Sequence, residues 1–284
     1  MTDSSETPNS KVVEAIRAEL AKRSTSRRRR ISEKFLMAAI GSVPWVGGFL
    51  AAAASFPGDE SAGHSDDLRT KWLEEHERKL RELEATLNAI DERMSNLGPS
   101  IEERVDSPEY LTLVRQAFRA WDRAATEDKR RYVANLLSNA AGTRICSDDV
   151  VRLFITWIDL YHETHFAVIR EIFRNPGSTR FDVWTELYGL TPREDSAEAD
   201  LYKLLIRDLS TGGVIRQARD TNEAGQFLRK RSAHRRANPP TVMESAFEDT
   251  KRYVLTELGK QFVHYTMNEV VPRLEGESER SGAS

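Results

Sequence analysis

The side chains in this sequence with most chemistry to offer are two histidines, one cysteine and a set of arginines. His162 and His165 stand three residues apart on a helical stretch, with Glu163 between them and Asp159 just upstream. Imidazole nitrogens and a carboxylate can ligate zinc. The zinc-hydrolase pattern, however, needs histidines one helical turn apart with a glutamate beside the first, and this sequence lacks that spacing. The pair is expected to border a helix interface, and no metal site is predicted. Cys146 is the single cysteine. No charge pattern beside it would lower its pKa, so it reads as an ordinary thiol. The sequence has no phosphate-cradling glycine loop, no nucleophile elbow and no CxxC pair. These residues point to a binding or assembly protein that is not an enzyme and needs no cofactor.

Charge narrows the choice of partner. The 284 residues carry a formal net charge of −3 with a pI of about 6.1, which is no global signature of a nucleic-acid binder. The cations are instead clustered. Arg27–Arg30 form one run, and a long polar segment after residue 214 holds Arg216, Arg219, Arg229, Lys230, Arg231, Arg235 and Arg236 against Asp220 and Glu223. Such a loop could touch phosphates, lipid head groups or an acidic partner. Lys203 and Arg207 lie just before it on a helix whose start carries Glu194, Asp195, Glu198 and Asp200. Four carboxylates are unfavourable where a phosphate backbone would approach.

The amino-terminal elements are set by one apolar segment. Residues 1–30 read as a flexible basic start, and residues 35–56, FLMAAIGSVPWVGGFLAAAASF, contain no charged side chain. A stretch of about 20 such residues is long enough to cross a bilayer. Ser42, Pro44, Gly47 and Gly48 break it at the middle, so residues 31–58 are predicted to form a hairpin of two short helices, about 35–40 and 49–56. The segment has to be buried: in lipid as a hairpin, in lipid as a single anchor, or in the protein's own core. The leading expectation is lipid contact through Phe35, Leu36, Ile40, Trp45, Phe49, Leu50 and Phe56. The arginines before the segment and the acids after it would export the remainder, yet one cysteine offers no internal disulfide framework. That favours a cytoplasmic protein, associated with the inner face of the membrane.

Residues 66–98 carry a heptad pattern. Leu73, Leu80, Leu87 and Met94 recur every seven residues, followed three behind by His76, Leu83, Ile90 and Leu97. This a/d seam predicts a coiled-coil helix. Leu73, Leu80, Leu83, Leu87, Ile90 and Met94 are the oligomerisation candidates for a homo-oligomer, although another helix of the same chain would serve equally. His76 is the polar residue of the seam. Residues 100–146 read as a helical bundle, with Ser107 capping a helix that opens at Pro108 and with Phe118 and Trp121 in its core.

Residues 147–272 form the last ordered region, before a flexible tail at 273–284. A helix starts after Ser147, and a further apolar pattern runs through Phe166, Ile169 and Phe173 to a stop at Asn175-Pro176-Gly177. A second helix is expected over 180–188, with Phe181, Trp184 and Leu187 inward, and a third over 197–209, with Leu201, Leu204, Leu205 and Leu209 inward. Two short strands and a final helix at Thr256-Glu257-Leu258-Gly259 complete it. This order resembles the winged helix-turn-helix over about residues 163–270. DLSTGGVIRQ (208–217) looks like that family's recognition-helix exit, and YVLTELGKQFVHY (253–265) like its wing-to-final-helix turn. The resemblance implies duplex DNA binding by the third helix and the wing. The chain as a whole resembles an uncharacterised bacterial protein family, and its layout is similar to bacterial helical pore-formers with an apolar hairpin beside a long coiled coil.

The expected fold class is therefore mainly α: an apolar hairpin, a coiled coil, a helical bundle and a winged-helix domain with a small β-hairpin. The expected function is membrane-associated assembly, with the winged helix docking or sensing a protein partner. The alternative is a soluble dimeric DNA-binding regulator.

Overall fold

The computed structural model describes residues 32–46, 65–97, 101–143, 145–219, 222–224, 226–228 and 244–267, with the backbone alone for 65–73. The fold is mainly helical, with one two-stranded antiparallel sheet. It divides into two compact units, the first reaching to Leu160 and including Tyr265, the second Tyr161–His264.

In the first unit, α1 (Glu33–Ile40) opens at Ser32, whose hydroxyl accepts the Phe35 amide at 3.1 Å. A helix with so few polar groups can hardly lie free in water, and α1 packs on α4 (Pro108–Arg123). Phe35, Leu36 and Ile40 are at most 3 % exposed, and the Phe35 ring sits 6.3 Å from both Tyr110 and Phe118. These three residues, expected against lipid, are core residues of the bundle. The chain turns at Gly41-Ser42 and residues 44–46 are helical again, while the second arm expected over 49–56 lies outside the described residues. Trp45, also expected against lipid, is half-buried and donates its indole N–H to Asp122. Phe49, Leu50 and Phe56 lie outside the described residues. Among the described residues no helix is long and apolar enough to cross a membrane.

Helix α2 (Ser65–Asn96) is 32 residues long. Its seam is covered by α5 (Glu127–Gly142) of the same chain. Leu83, Leu87, Ile90 and Met94 are 0 % exposed in this single chain. Leu80 is half-buried, Leu97 exposed, and the Leu73 side chain lies outside the described set. Charge pairs on the solvent side of α2, Arg78 with Glu75 and Arg81 with Glu77, join residues three and four apart, as helix geometry allows. A short α3 (Glu102–Val105) leads to α4, where the Ser107 hydroxyl accepts the Tyr110 amide and Pro108 occupies the first turn. Helix α5 is buried from Tyr132 to Ala141, because α2, α4 and α6 (Asp148–Leu160) all pack on it. Helix α6 thus belongs to the bundle, whereas the sequence pattern had grouped it with the carboxy-terminal region.

The second unit runs α7 (Glu163–Arg174), α8 (Arg180–Tyr188), α9 (Ala197–Thr211), β1 (Ile215–Gln217), β2 (Tyr253–Leu255) and most of α10 (Glu257–Thr266). A capping box of Thr179 and Asp182 starts α8, and the Ser196 hydroxyl caps α9 at Ala199. Gly213, at φ +77°, reverses the chain out of α9, a conformation glycine adopts without strain. Strand β1 pairs with β2 in the register Ile215–Leu255, Arg216–Val254, Gln217–Tyr253. On the other edge of β2, Gly177 and Ser178 exchange backbone hydrogen bonds with Tyr253 at 2.8 and 2.9 Å.

Two helix faces differ from the expected ones. On α8, Trp184 is buried but Phe181 is 43 % exposed. On α9 the inward residues are Ala199, Tyr202, Leu205, Ile206 and Leu209, while Leu201 and Leu204 are 49 % and 38 % exposed. Tyr202 takes the inward position because its ring fits between Trp184, at 5.2 Å, and Phe247, stacked at 5.9 Å. Its hydroxyl reaches the Arg180 carbonyl at 2.7 Å.

Candidate binding surfaces

His162, His165 and Asp159, weighed as possible ligands on sequence grounds, each have partners within the protein. The His162 and His165 rings lie 5.9 Å apart at the start of α7. His165 is buried, stacks on Tyr161 at 4.9 Å, and accepts the His162 amide at Nδ1. Asp159 is held by Arg123 through hydrogen bonds of 3.1 and 2.6 Å. Among the described residues no group of three or more histidines, cysteines and carboxylates could hold a metal ion.

Cys146 lines a hollow of about 560 Å³ in the first unit, together with Arg104, Ser107 and Asp148. Burial pushes its thiol pKa up, against a smaller lowering by the Tyr265 hydroxyl. A protonated thiol is a poor nucleophile. Arg104, the cation of this hollow, is committed to Asp148 and stands over the Tyr110 ring at 5.2 Å.

Two surfaces of the second unit combine exposed apolar and charged side chains. The first is the outer face of α9, where Glu198, Asp200, Leu201, Leu204 and Arg207 are exposed. The acidity at its start is built in. Burial pushes Glu194 up, but the Ala246 amide, the Ser245 hydroxyl and Lys203 outweigh it and hold the carboxyl below its ordinary value. Arg193 beside Asp195 lowers that carboxyl, and the helix-start amide and the Ser196 hydroxyl lower Glu198. A helix amino terminus favours negative charge for the same reason. Lys203, expected to meet an anionic partner, is 3.5 Å from Glu194 instead. Arg207 lies 4.0 Å from its neighbour Asp208.

The second surface is a groove of about 380 Å³ between the end of α7, the hairpin and the start of α10. Ile172, Phe173, Pro176 and Val254 line it, with Arg216, Arg219 and Lys260 around them. Arg216 and Val254 are register partners, so their side chains leave the sheet on one face. Two of the cations expected on sequence grounds, Arg216 and Arg219, are thus brought together. Arg229, Lys230, Arg231, Arg235 and Arg236 lie outside the described residues. Lys260, Ile172 and Phe173 had not been singled out as binding residues. The available signal was a lysine one helical turn after Thr256, which caps α10 by accepting the Gly259 amide at 2.9 Å.

Comparison of the chain with protein-family models, with curated proteins and with solved structures gives no match.

Proposed function

We propose that this chain is a non-enzymatic binding and assembly protein whose second unit is a winged-helix-type module docking a protein partner. The winged-helix reading is supported by the order of three helices, two strands and a helix, and by the rung that Gly177 and Ser178 add to β2. The outer face of α9, which combines exposed leucines with carboxylates held below their ordinary pKa values, favours a protein partner. Phosphates would be repelled there, whereas an exposed apolar pair rimmed by charge suits a protein surface. The first unit acts as the scaffold. Phe35, Leu36 and Ile40 are used in its core, and Leu83, Leu87, Ile90 and Met94 seal α2 against α5. We therefore assign these residues to holding the bundle together rather than to lipid contact or self-association.

A second reading, duplex DNA held by the hairpin, is favoured by Arg216 and Arg219, which line the same groove. A photo-crosslinking amino acid at position 204, introduced in cells that make the protein, separates the two. Protein adducts that disappear with Leu201→Asp are expected. Adducts to DNA without protein adducts, or salt-sensitive retention on duplex DNA that survives Leu201→Asp, would replace the protein reading by the DNA one.

A further inference from the structure

We propose that the groove between α7, the hairpin and α10 is the docking site for a short acidic, apolar-bearing segment of a protein partner. The inference rests on reading the second unit as a protein-docking module, and it supplies the chemistry of what is docked.

Three features select the occupant. The lining is apolar where it is deep: Ile172 is 1 % exposed, and Phe173 stands at the rim with 43 % exposed. Side chains in such a site are gained by desolvation, which a sugar–phosphate backbone cannot supply. The rim is cationic. Arg219 is exposed, Arg216 is held over the Phe227 ring at 4.7 Å, and Lys260 pairs with Glu257 at 2.7 Å on the flank of α10. Among the described residues of the rim, three cations stand against one carboxylate, and this positive balance complements acidic groups and steers them inward. Guanidinium groups also bind carboxylates through paired hydrogen bonds. Finally, about 380 Å³ is at the small end of ligand sites, enough for a few side chains and far short of a folded surface. Because the rim is open at Phe173, a lipid acyl chain laid there would stay wet along one side. A peptide that buries alternate apolar side chains and turns its carboxylates to the rim meets both demands.

The test uses the full chain and a fluorescein-labelled synthetic peptide of alternating glutamate with leucine or phenylalanine, followed by fluorescence anisotropy. Saturable binding is expected, weakened about tenfold or more by Arg216→Glu with Arg219→Glu, as loss of a charge-complementary contact predicts. Phe173→Asp, at an exposed rim position, is expected to weaken it independently. Peptides with glutamine in place of glutamate, or serine in place of the apolar residues, are expected not to bind. Circular dichroism establishes that each variant is folded. No saturable binding, or equal binding by the charge-reversed variant, overturns the proposal. So does a charge reversal that abolishes binding to duplex DNA or to phosphatidylglycerol vesicles while the peptide is unaffected. If crosslinking from position 204 to protein persists while the peptide fails, only the groove assignment falls. If the peptide binds but the crosslink is to DNA, it is the docking role of α9 that falls.

Discussion

Trp45 donates its indole N–H to the Asp122 carboxylate at 2.6 Å, joining residues 77 positions apart. The tryptophan comes from the middle of an uncharged stretch, and the aspartate from the last turn of α4. The turn at Gly41-Ser42 thus precedes a short helical stretch whose aromatic residue meets a charged acceptor, with the His76 ring edge-on at 5.4 Å. A charged acceptor makes this bond stronger than a neutral one. Asp122→Ala is expected to cost about 1.5–3 kcal/mol, the range for a hydrogen bond to a charged group, and Asp122→Asn clearly less. Urea unfolding of both variants checks this.

Phe35 gives a sharper measure of where the apolar segment resides. It is 0 % exposed, edge-on to Phe118 and tilted against Tyr110. Phe35→Ala is expected to destabilise the bundle by about 3–5 kcal/mol, as for a large side chain removed from a packed core, and Phe35→Leu by less. A stability change near zero in denaturant unfolding would mean that α1 is not seated on α4 in solution.

How much of this was legible follows the range of the interactions. Helix starts and stops are local, and the start at Ser107-Pro108 and the stop at Asn175-Pro176-Gly177 are legible from residues that act within a few positions. The destination of residues 35–40 was not, because an apolar stripe has the same pattern whether lipid or protein covers it. The heptads of α2 revealed a stripe at Leu83, Leu87, Ile90 and Met94 but not that α5 would cover it. On α9, counting leucines selected Leu201 and Leu204. Burial was decided by Tyr202, whose ring had partners from α8 and from the segment before β2. The groove was least legible of all, since Phe173, Arg216 and Lys260 come from three elements far apart in sequence and meet only through hairpin register.

The end of α10 is held by two buried amides on α5. Asn139 donates to the Tyr265 carbonyl at 2.9 Å and Asn135 to the Thr266 carbonyl at 2.7 Å. Carbonyls of a last helical turn lack partners within their own helix, and these asparagines, one turn apart on α5, supply them. Asn139→Ala leaves a buried acceptor unpaired and is expected to cost about 1–3 kcal/mol. Asn139→Leu, similar in size but without a donor, is expected to be no better. Equilibrium unfolding of the two variants measures it.

Acid should act in two windows. Burial holds the His264 imidazole below its ordinary value of 6.5, so the folded state prefers the neutral ring. Its contribution is full above pH 6.5 and is lost as the pH falls toward the folded value, because the unfolded chain takes up the proton first. His264→Gln is expected to flatten the stability profile there. Glu194, whose folded pKa is held below 4.5 by Ala246, Ser245 and Lys203 against the effect of burial, contributes above pH 4.5 and is lost below it. Glu194→Gln is expected to flatten only this lower window. Urea midpoints measured between about pH 3 and pH 8, the range spanned by carboxyl and imidazole groups, distinguish the two variants.

Gly259, in the first turn of α10, packs closely against the chain entering β1. The Thr256 hydroxyl donates to the Gly213 carbonyl at 2.6 Å and accepts the Gly259 amide at 2.9 Å. These two hydrogen bonds bring the first turn of α10 against the entry to β1, where a Cβ on Gly259 would lie 2.2 Å from the Val214 carbonyl oxygen. The obstacle is backbone, and the Val214 carbonyl also accepts the Thr256 amide at 3.0 Å, so it cannot retreat without breaking the turn. Gly213 is a useful contrast, because a Cβ there meets nothing within 4 Å and only its positive φ resists substitution. Gly213→Ala is expected to cost about 1–2 kcal/mol, the strain of a left-handed residue. Gly259→Ala should cost more, at about 3 kcal/mol or above, the upper range for overpacking. Calorimetric melting of the two variants side by side tests the order, and equal losses would show that the Val214 carbonyl can yield.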